Sequence, residues 1–162
     1  MKHFGMTLEE NKTRLIEFGK YAEGNCAKKG TKPETFTFLG FTHYCSHGKN
    51  GKFRVKRKTN KKKFAKKCKE IHRLIRDRRT QPLESIIKKL NQILVGYYHY
   101  YGITDNIQSL SNFRFRVIRS LFQWLNRRSQ KKSYTWKEFN EMLEQYKIAI
   151  PKIYVNVYAG SC

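Results

Sequence analysis

Acidic residues are scarce in this chain. Its 162 residues hold 12 Asp and Glu against 35 Lys and Arg, and only Asp77 and Asp105 are aspartates. Two-metal phosphoryl chemistry needs carboxylates converging on both ions, and the acids here are scattered, with no Asp pair placed to bind two metals. A Walker loop, a nucleophile elbow and an HExxH helix are all missing from the sequence. These gaps exclude the common hydrolase and NTPase designs and favour a binding role, with no enzyme activity expected of the chain on its own. Cysteines are few and far apart: Cys26, Cys45, Cys68 and Cys162 match no zinc ribbon or CxxC pair. They read as reduced thiols, with Cys68 on an apolar helix face. In a strand, His43, Cys45 and His47 would share one face, but structural zinc takes four ligands, so neither a metal nor another cofactor is expected. No apolar stretch approaches the roughly 20 residues of a membrane span. The N-terminus has no signal-peptide core. No membrane partner is expected, and the expected compartment is cytoplasmic.

What is abundant is positive charge. The net charge is +23 and the isoelectric point about 10.1, a balance that points to nucleic acid. Hydrophobic residues make up 39% and aromatics 14%, enough for a packed core, so wholesale disorder is not expected. Lys49 to Arg79 concentrates the charge, with 16 Lys or Arg against Glu70 and Asp77. Within that run Phe64, Cys68, Ile71, Leu74 and Ile75 recur at helical offsets, which predicts a helix with one apolar stripe and cations over the remainder. A solvated helix normally mixes signs to gain i,i+4 pairs. This one repels itself unless a polyanion lies against it.

The rest of the chain reads as an α+β fold, mainly α. Residues 1–57 read as strands and turns with a short helical start. Arg14 to Phe18 is a short strand candidate, and Gly19 to Pro33 reads as a loop on its glycines. Thr35 to Phe41 reads as a strand, and a hairpin joins Thr42–Ser46 to Lys52–Arg57. Helices follow. Thr59 or Asn60 caps the first, which runs to about Arg79. Pro82 opens the second, whose stripe is Leu83, Ile86, Ile87, Leu90, Ile93, Leu94, Tyr97, Tyr98 and Tyr101, ending at Gly102. The third is expected to start near Ser109 or Ser111 and to bury Phe113, Val117, Leu121, Trp124 and Leu125. The capping box Thr135–Glu138 starts the fourth, with Phe139, Met142, Leu143 and Tyr146 inward. After Pro151 the alternation of Ile153, Val155 and Val157 with Tyr154, Asn156 and Tyr158 predicts an extended segment.

Candidate nucleic-acid contacts follow from exposure and charge. They are Lys58, Lys61, Lys62, Lys63, Lys66, Lys67, Arg73 and Arg76 on and before the first long helix, and Arg114, Arg116, Arg127 and Arg128 on the third. Lys131 and Lys132 lie in the acid-free junction after it. In Gly96-Tyr97-Tyr98-His99-Tyr100-Tyr101-Gly102, the helical spacing turns His99 and Tyr100 away from the core, where they could stack on bases. Gly96 inside a helix costs about 1 kcal/mol relative to Ala, which implies close approach of another helix or of a nucleic-acid backbone.

Several motifs together resemble one family, the group II intron-encoded reverse transcriptase/maturases. They are Lys12-Thr13-Arg14-Leu15-Ile16-Glu17-Phe18-Gly19, Thr37-Phe38-Leu39-Gly40-Phe41-Thr42-His43, the Gly96–Gly102 cluster, Trp124-Leu125-Asn126-Arg127-Arg128-Ser129-Gln130-Lys131, Ser133-Tyr134-Thr135-Trp136 and Ile150-Pro151-Lys152-Ile153-Tyr154. The resemblance implies that residues 1–57 are the end of a polymerase palm, 58–129 a three-helix thumb that packs on template–primer duplex, and 130–162 a maturase-specific region that grips intron RNA. It also implies partners: group II intron RNA, an RNA–DNA duplex and a polypeptide carrying the missing palm and fingers. The chain departs from the family in one decisive respect, since the polymerase's Tyr-Ala-Asp-Asp loop and upstream Asp are not present. The expected role is therefore RNA binding in splicing and retrohoming. The alternatives are half of a reverse transcriptase completed in trans, or a gene remnant without function, with an exposed sheet edge or apolar patch in residues 1–57.

Overall fold

A computed structural model describes residues 13–128 and 134–159. Among these the fold is α+β and mainly α, as expected: five helices and one three-stranded antiparallel sheet. The chain forms two compact units. One contains the residues up to Phe38 together with His43–Lys56, and the other contains Leu39–Thr42 and the residues from Arg57 onward.

The short helical start expected of the smaller unit lies outside the described residues, and the unit departs from the sequence reading between Arg14 and Pro33. Arg14 to Phe18 forms no strand, and the expected loop holds α1, Ala22–Lys28. Ala22 and Cys26, four residues apart, are both buried, and that one-turn apolar pair outweighs the glycines around it. Lys29 donates to Glu17 at 2.9 Å, and Arg14 pairs with Glu34. The sheet has the order β1 (Phe36–Phe38), β2 (Phe41–His47), β3 (Phe53–Thr59). The hairpin between β2 and β3 is as predicted. The segment Thr35 to Phe41 is not one strand, because Leu39 and Gly40 both take positive φ and reverse the chain between β1 and β2. Leu15, Tyr21 and Phe38 remain exposed in this unit.

The larger unit is built on α2 (Lys61–Arg78), α3 (Leu83–Tyr101), α4 (Ile107–Leu125) and α5 (Trp136–Tyr146). Helix α4 packs against both α2 and α3. The apolar stripes read from the sequence form one core: Ile71 and Ile75 from α2, Ile86, Ile87, Leu90, Leu94, Tyr97 and Tyr98 from α3, Leu110, Phe113, Val117, Leu121 and Leu125 from α4, and Phe139 from α5. Phe113 lies at its centre, stacked on Tyr97 at 3.7 Å and edge-on to Phe64 at 5.9 Å. Burying an Ile contributes about 1.5–3 kcal/mol, so Ile71 and Ile75 are enough to hold α2 in place despite its self-repulsion. Asn60 caps α2 by accepting from the Lys62 and Lys63 amides, and the Thr135–Glu138 capping box of α5 is formed.

Two expectations are corrected here. Helix α4 starts at Ile107 rather than at Ser109 or Ser111. The residue before it, Asn106, is fully buried and caps nothing with its side chain. Its amide donates to Thr59 Oγ1 at 2.9 Å and to the Tyr101 carbonyl at 2.8 Å, and its Oδ1 accepts from the Thr59 amide at 2.9 Å. One side chain thus ties the end of β3, the end of α3 and the start of α4. After Pro151 the backbone makes a single parallel bridge, Ile103 with Val155, rather than a strand. The Tyr154 and Val155 amides donate to the Gly102 carbonyl at 2.7 and 3.0 Å, and Ile148 is buried in the bundle core. No helix among the described residues is long and apolar enough to cross a membrane.

Candidate nucleic-acid interface

The sequence fixes which faces of α2 carry charge. With Phe64, Cys68, Ile71 and Ile75 turned inward, its cations fall on two flanks and an outer face. Lys61, Lys62 and Lys63 occupy the first turn, which contains no acid. Cations at a helix N-terminus oppose the backbone dipole, at roughly 0.3–1 kcal/mol each. Only two ion pairs involve α2 among the described residues, Lys67–Glu70 at 3.2 Å and Arg76–Asp77 at 2.9 Å. Both are exposed and so contribute little.

One flank forms a groove with α3. Lys63, Lys66, Lys67 and Glu70 line one wall, and Gln92, Ile93, Gly96, Tyr97, Tyr100 and Tyr101 the other. Tyr100 is 55% exposed and donates from its hydroxyl to the Leu39 carbonyl at 3.0 Å, so its ring is held at the groove mouth. Burial pushes the neighbouring phenols up: Tyr98 to about 12, Tyr97 further, and Tyr101 above its ordinary value. These tyrosines stay neutral at any physiological pH and add no negative charge to the groove.

The other flank faces α4. Cys68, Lys69, His72 and Arg73 lie opposite Arg116, Arg119, Ser120 and Gln123. His72 Nδ1 is 2.7 Å from Ser120 Oγ, and the Trp124 indole N–H donates to the same imidazole at 3.2 Å. The furrow continues past Arg119 and Gln123 to Phe122, Asn126, Arg127 and Trp136. Burial raises the Cys68 thiol, and the charge of Arg116 opposes this less strongly. The thiolate is therefore disfavoured in the fold. Cys68 should alkylate with iodoacetamide several-fold more slowly in the folded chain than in urea at mildly alkaline pH. The rate should climb only above the ordinary thiol range of about 8.5. Peptide mass spectrometry reads this directly, and equal rates in both states would contradict it.

The predicted contacts are thus divided. Lys63, Lys66, Lys67 and Tyr100 meet in the α2–α3 groove, Arg73 and Arg116 in the α2–α4 cleft, and Arg127 at the α4–α5 end, where it lies 5.2 Å over Trp124. Lys58, Lys61 and Lys62 are exposed near the start of α2. Arg76 is paired with Asp77, and Arg128 donates to the Gln81 carbonyl at 2.7 Å. Two others make contacts within the chain, the half-buried Arg114 and the still exposed His99. Arg114 donates to the Ala149 carbonyl at 3.2 Å, and His99 stacks on Tyr154 at 4.0 Å. Lys131 and Lys132 lie outside the described residues. The sequence reading missed Lys69, Arg119 and Trp136 as site residues. The spacing of Lys69 with Arg73 and of Arg116 with Arg119 could have placed each pair on one helix flank.

No group of three metal-ligating side chains occurs among the described residues. His43 stacks on Phe36 at 4.7 Å, the Cys45 thiol donates to the Gly19 carbonyl at 3.7 Å, and His47 faces Glu23 at 3.5 Å.

Residues 61–142 match the family model described as group II intron, maturase-specific domain. The matched interval contains α2, α3, α4 and both basic clefts, and it ends inside α5. No curated protein and no solved structure matches the chain.

Proposed function

Because the chain belongs to the family defined by the group II intron maturase-specific domain, we propose that it binds group II intron RNA and assists splicing by holding that RNA in place. One observation carries the binding mode. Lys61, Lys62 and Lys63 crowd the first turn of α2 with no acid beside them. That arrangement costs stability in the free protein, and phosphate groups would relieve the cost. The α2–α3 groove extends the same surface with lysines on one side and a tyrosine edge on the other, which suits a duplex backbone tracked by charge. The role is positioning, with the chemistry left to the RNA or to another chain.

The experiment is a salt titration of the whole chain with a group II intron RNA. Between about 50 and 200 mM salt, log K should fall with log salt at a slope of about −4 or steeper, since several phosphates are neutralised together. Salt-independent binding, or no binding, would remove this reading.

A second reading takes residues 58–129 as a reverse-transcriptase thumb, with the chain completing a polymerase whose palm and fingers lie on another polypeptide. Leu15, Tyr21 and Phe38 in the small unit are each exposed, and a partner polypeptide seated on that unit would cover them. The same groove would then hold a template–primer duplex, and retrohoming rather than splicing alone would depend on it.

A further inference from the structure

The α2–α4 cleft brings together four cations, Lys69 and Arg73 on one wall and Arg116 and Arg119 on the other, with no acid among its lining residues. None of the four forms an ion pair among the described residues. Helices α2 and α4 pack directly against each other, so these like charges are held facing one another by the core beneath them. Like charges in such an arrangement repel, and an anion between them turns that repulsion into attraction. Ser120 and Gln123 add neutral hydrogen-bonding groups at the same place. The cleft measures about 440 Å³, within the range of roughly 300–1,000 Å³ usual for small-ligand sites.

The furrow does not stop there. It runs along α4 through Arg119, Gln123, Asn126 and Arg127 to Trp136 at the start of α5. Trp136 is 48% exposed, with the Phe122 ring stacked against it at 3.8 Å and Phe139 edge-on at 5.7 Å. An indole braced in this way, and still half open, is a platform for a flat partner. A row of cations ending at a braced aromatic ring is how single-stranded nucleic acid is held without sequence preference.

We infer that this furrow is a second nucleic-acid site, distinct from the α2–α3 groove, and that it takes a single RNA strand. Phosphates sit among Lys69, Arg73, Arg116 and Arg119, and a base stacks on Trp136. The inference rests on the RNA-binding reading above and divides it into two sites with different substrates. Duplex belongs to the lysine groove, and an unpaired segment of the same RNA to the arginine furrow.

The test compares two probes, a short single-stranded oligouridine and a blunt RNA duplex, on the whole chain and two variants. An Arg116→Gln/Arg119→Gln double variant should bind oligouridine about tenfold more weakly or worse at low salt. Its slope should be shallower by about 1.4, at 0.7 per phosphate on a single strand. Duplex binding by the same protein should change less than about twofold, which also shows that it is folded. Trp136→Leu should weaken oligouridine binding without altering its salt slope, because stacking releases no counterions. Equal loss on both probes, or no loss on oligouridine, overturns the second site. If the parent chain binds neither probe, the RNA-binding reading itself has failed.

Discussion

Replacing Lys62, Lys63, Lys66 and Lys67 with alanine should weaken binding to intron RNA by on the order of a hundred- to a thousandfold at about 0.1 M salt, and should flatten the salt slope by roughly 3.6. Each phosphate contact on a duplex contributes about 0.9 to that slope, so four lysines acting together account for the change. The fold should survive. Lys62 and Lys63 sit against the helix dipole, and their removal relieves roughly 0.3–1 kcal/mol each. Alanine is the best helix former, and the Lys67–Glu70 pair it breaks is exposed. Lost affinity with an unchanged or raised melting temperature is therefore the expected pattern. Parental affinity and slope in this variant would show that α2 is merely a solvated face.

That variant rests on what the sequence displays openly. The stripe Phe64, Cys68, Ile71, Ile75 fixes which side of α2 is inward, and the lysines follow by geometry. The same holds for α3, whose expected residues supply six of the buried positions in the core, and for the capping box of α5. Local chemistry determines each of these, so a single segment contains the information.

What the sequence hid depends on distant segments. Asn106 has the position of a helix cap, but its side chain is spent on Thr59, 47 residues away. No local pattern announces that, and the next serines looked like better caps. Arg114 looked like its neighbour Arg116, yet it holds the Ala149 carbonyl of the C-terminal segment. His99 remains exposed, but one face of its ring is stacked on Tyr154. The division of the cations into a lysine groove and an arginine furrow depends on how α2 lies over α3 and α4. Charge is legible one residue at a time, whereas the facing of two charged flanks is a property of packing.

The two glycines that bracket the aromatic cluster should respond oppositely to the same substitution. Gly102 is buried, and an added Cβ would fall 2.2 Å from the Tyr98 carbonyl and 2.6 Å from that of Lys152. Both are backbone oxygens, so neither can swing aside, and the Gly102 carbonyl is itself held by the Tyr154 and Val155 amides. Gly102→Ala should therefore cost about 3 kcal/mol, the upper part of the overpacking range, with faster hydrogen exchange at Tyr154 and Val155. At Gly96 no atom of another element lies within 4 Å of the added Cβ, so the expected close helix contact is not there. Gly96→Ala should stabilise the chain by up to about 1 kcal/mol, the ordinary gain of alanine over glycine inside a helix. Urea midpoints at constant slope read both changes. A glycine that weakens its helix without making room for protein calls for another reason, and Gly96 lines the groove beside Lys63, Lys66 and Tyr100. If Gly96→Ala is more stable yet binds duplex RNA less tightly, the missing side chain makes room for the ligand. If it is more stable and binds equally well, the glycine has no part in recognition and the groove is read by its lysines alone.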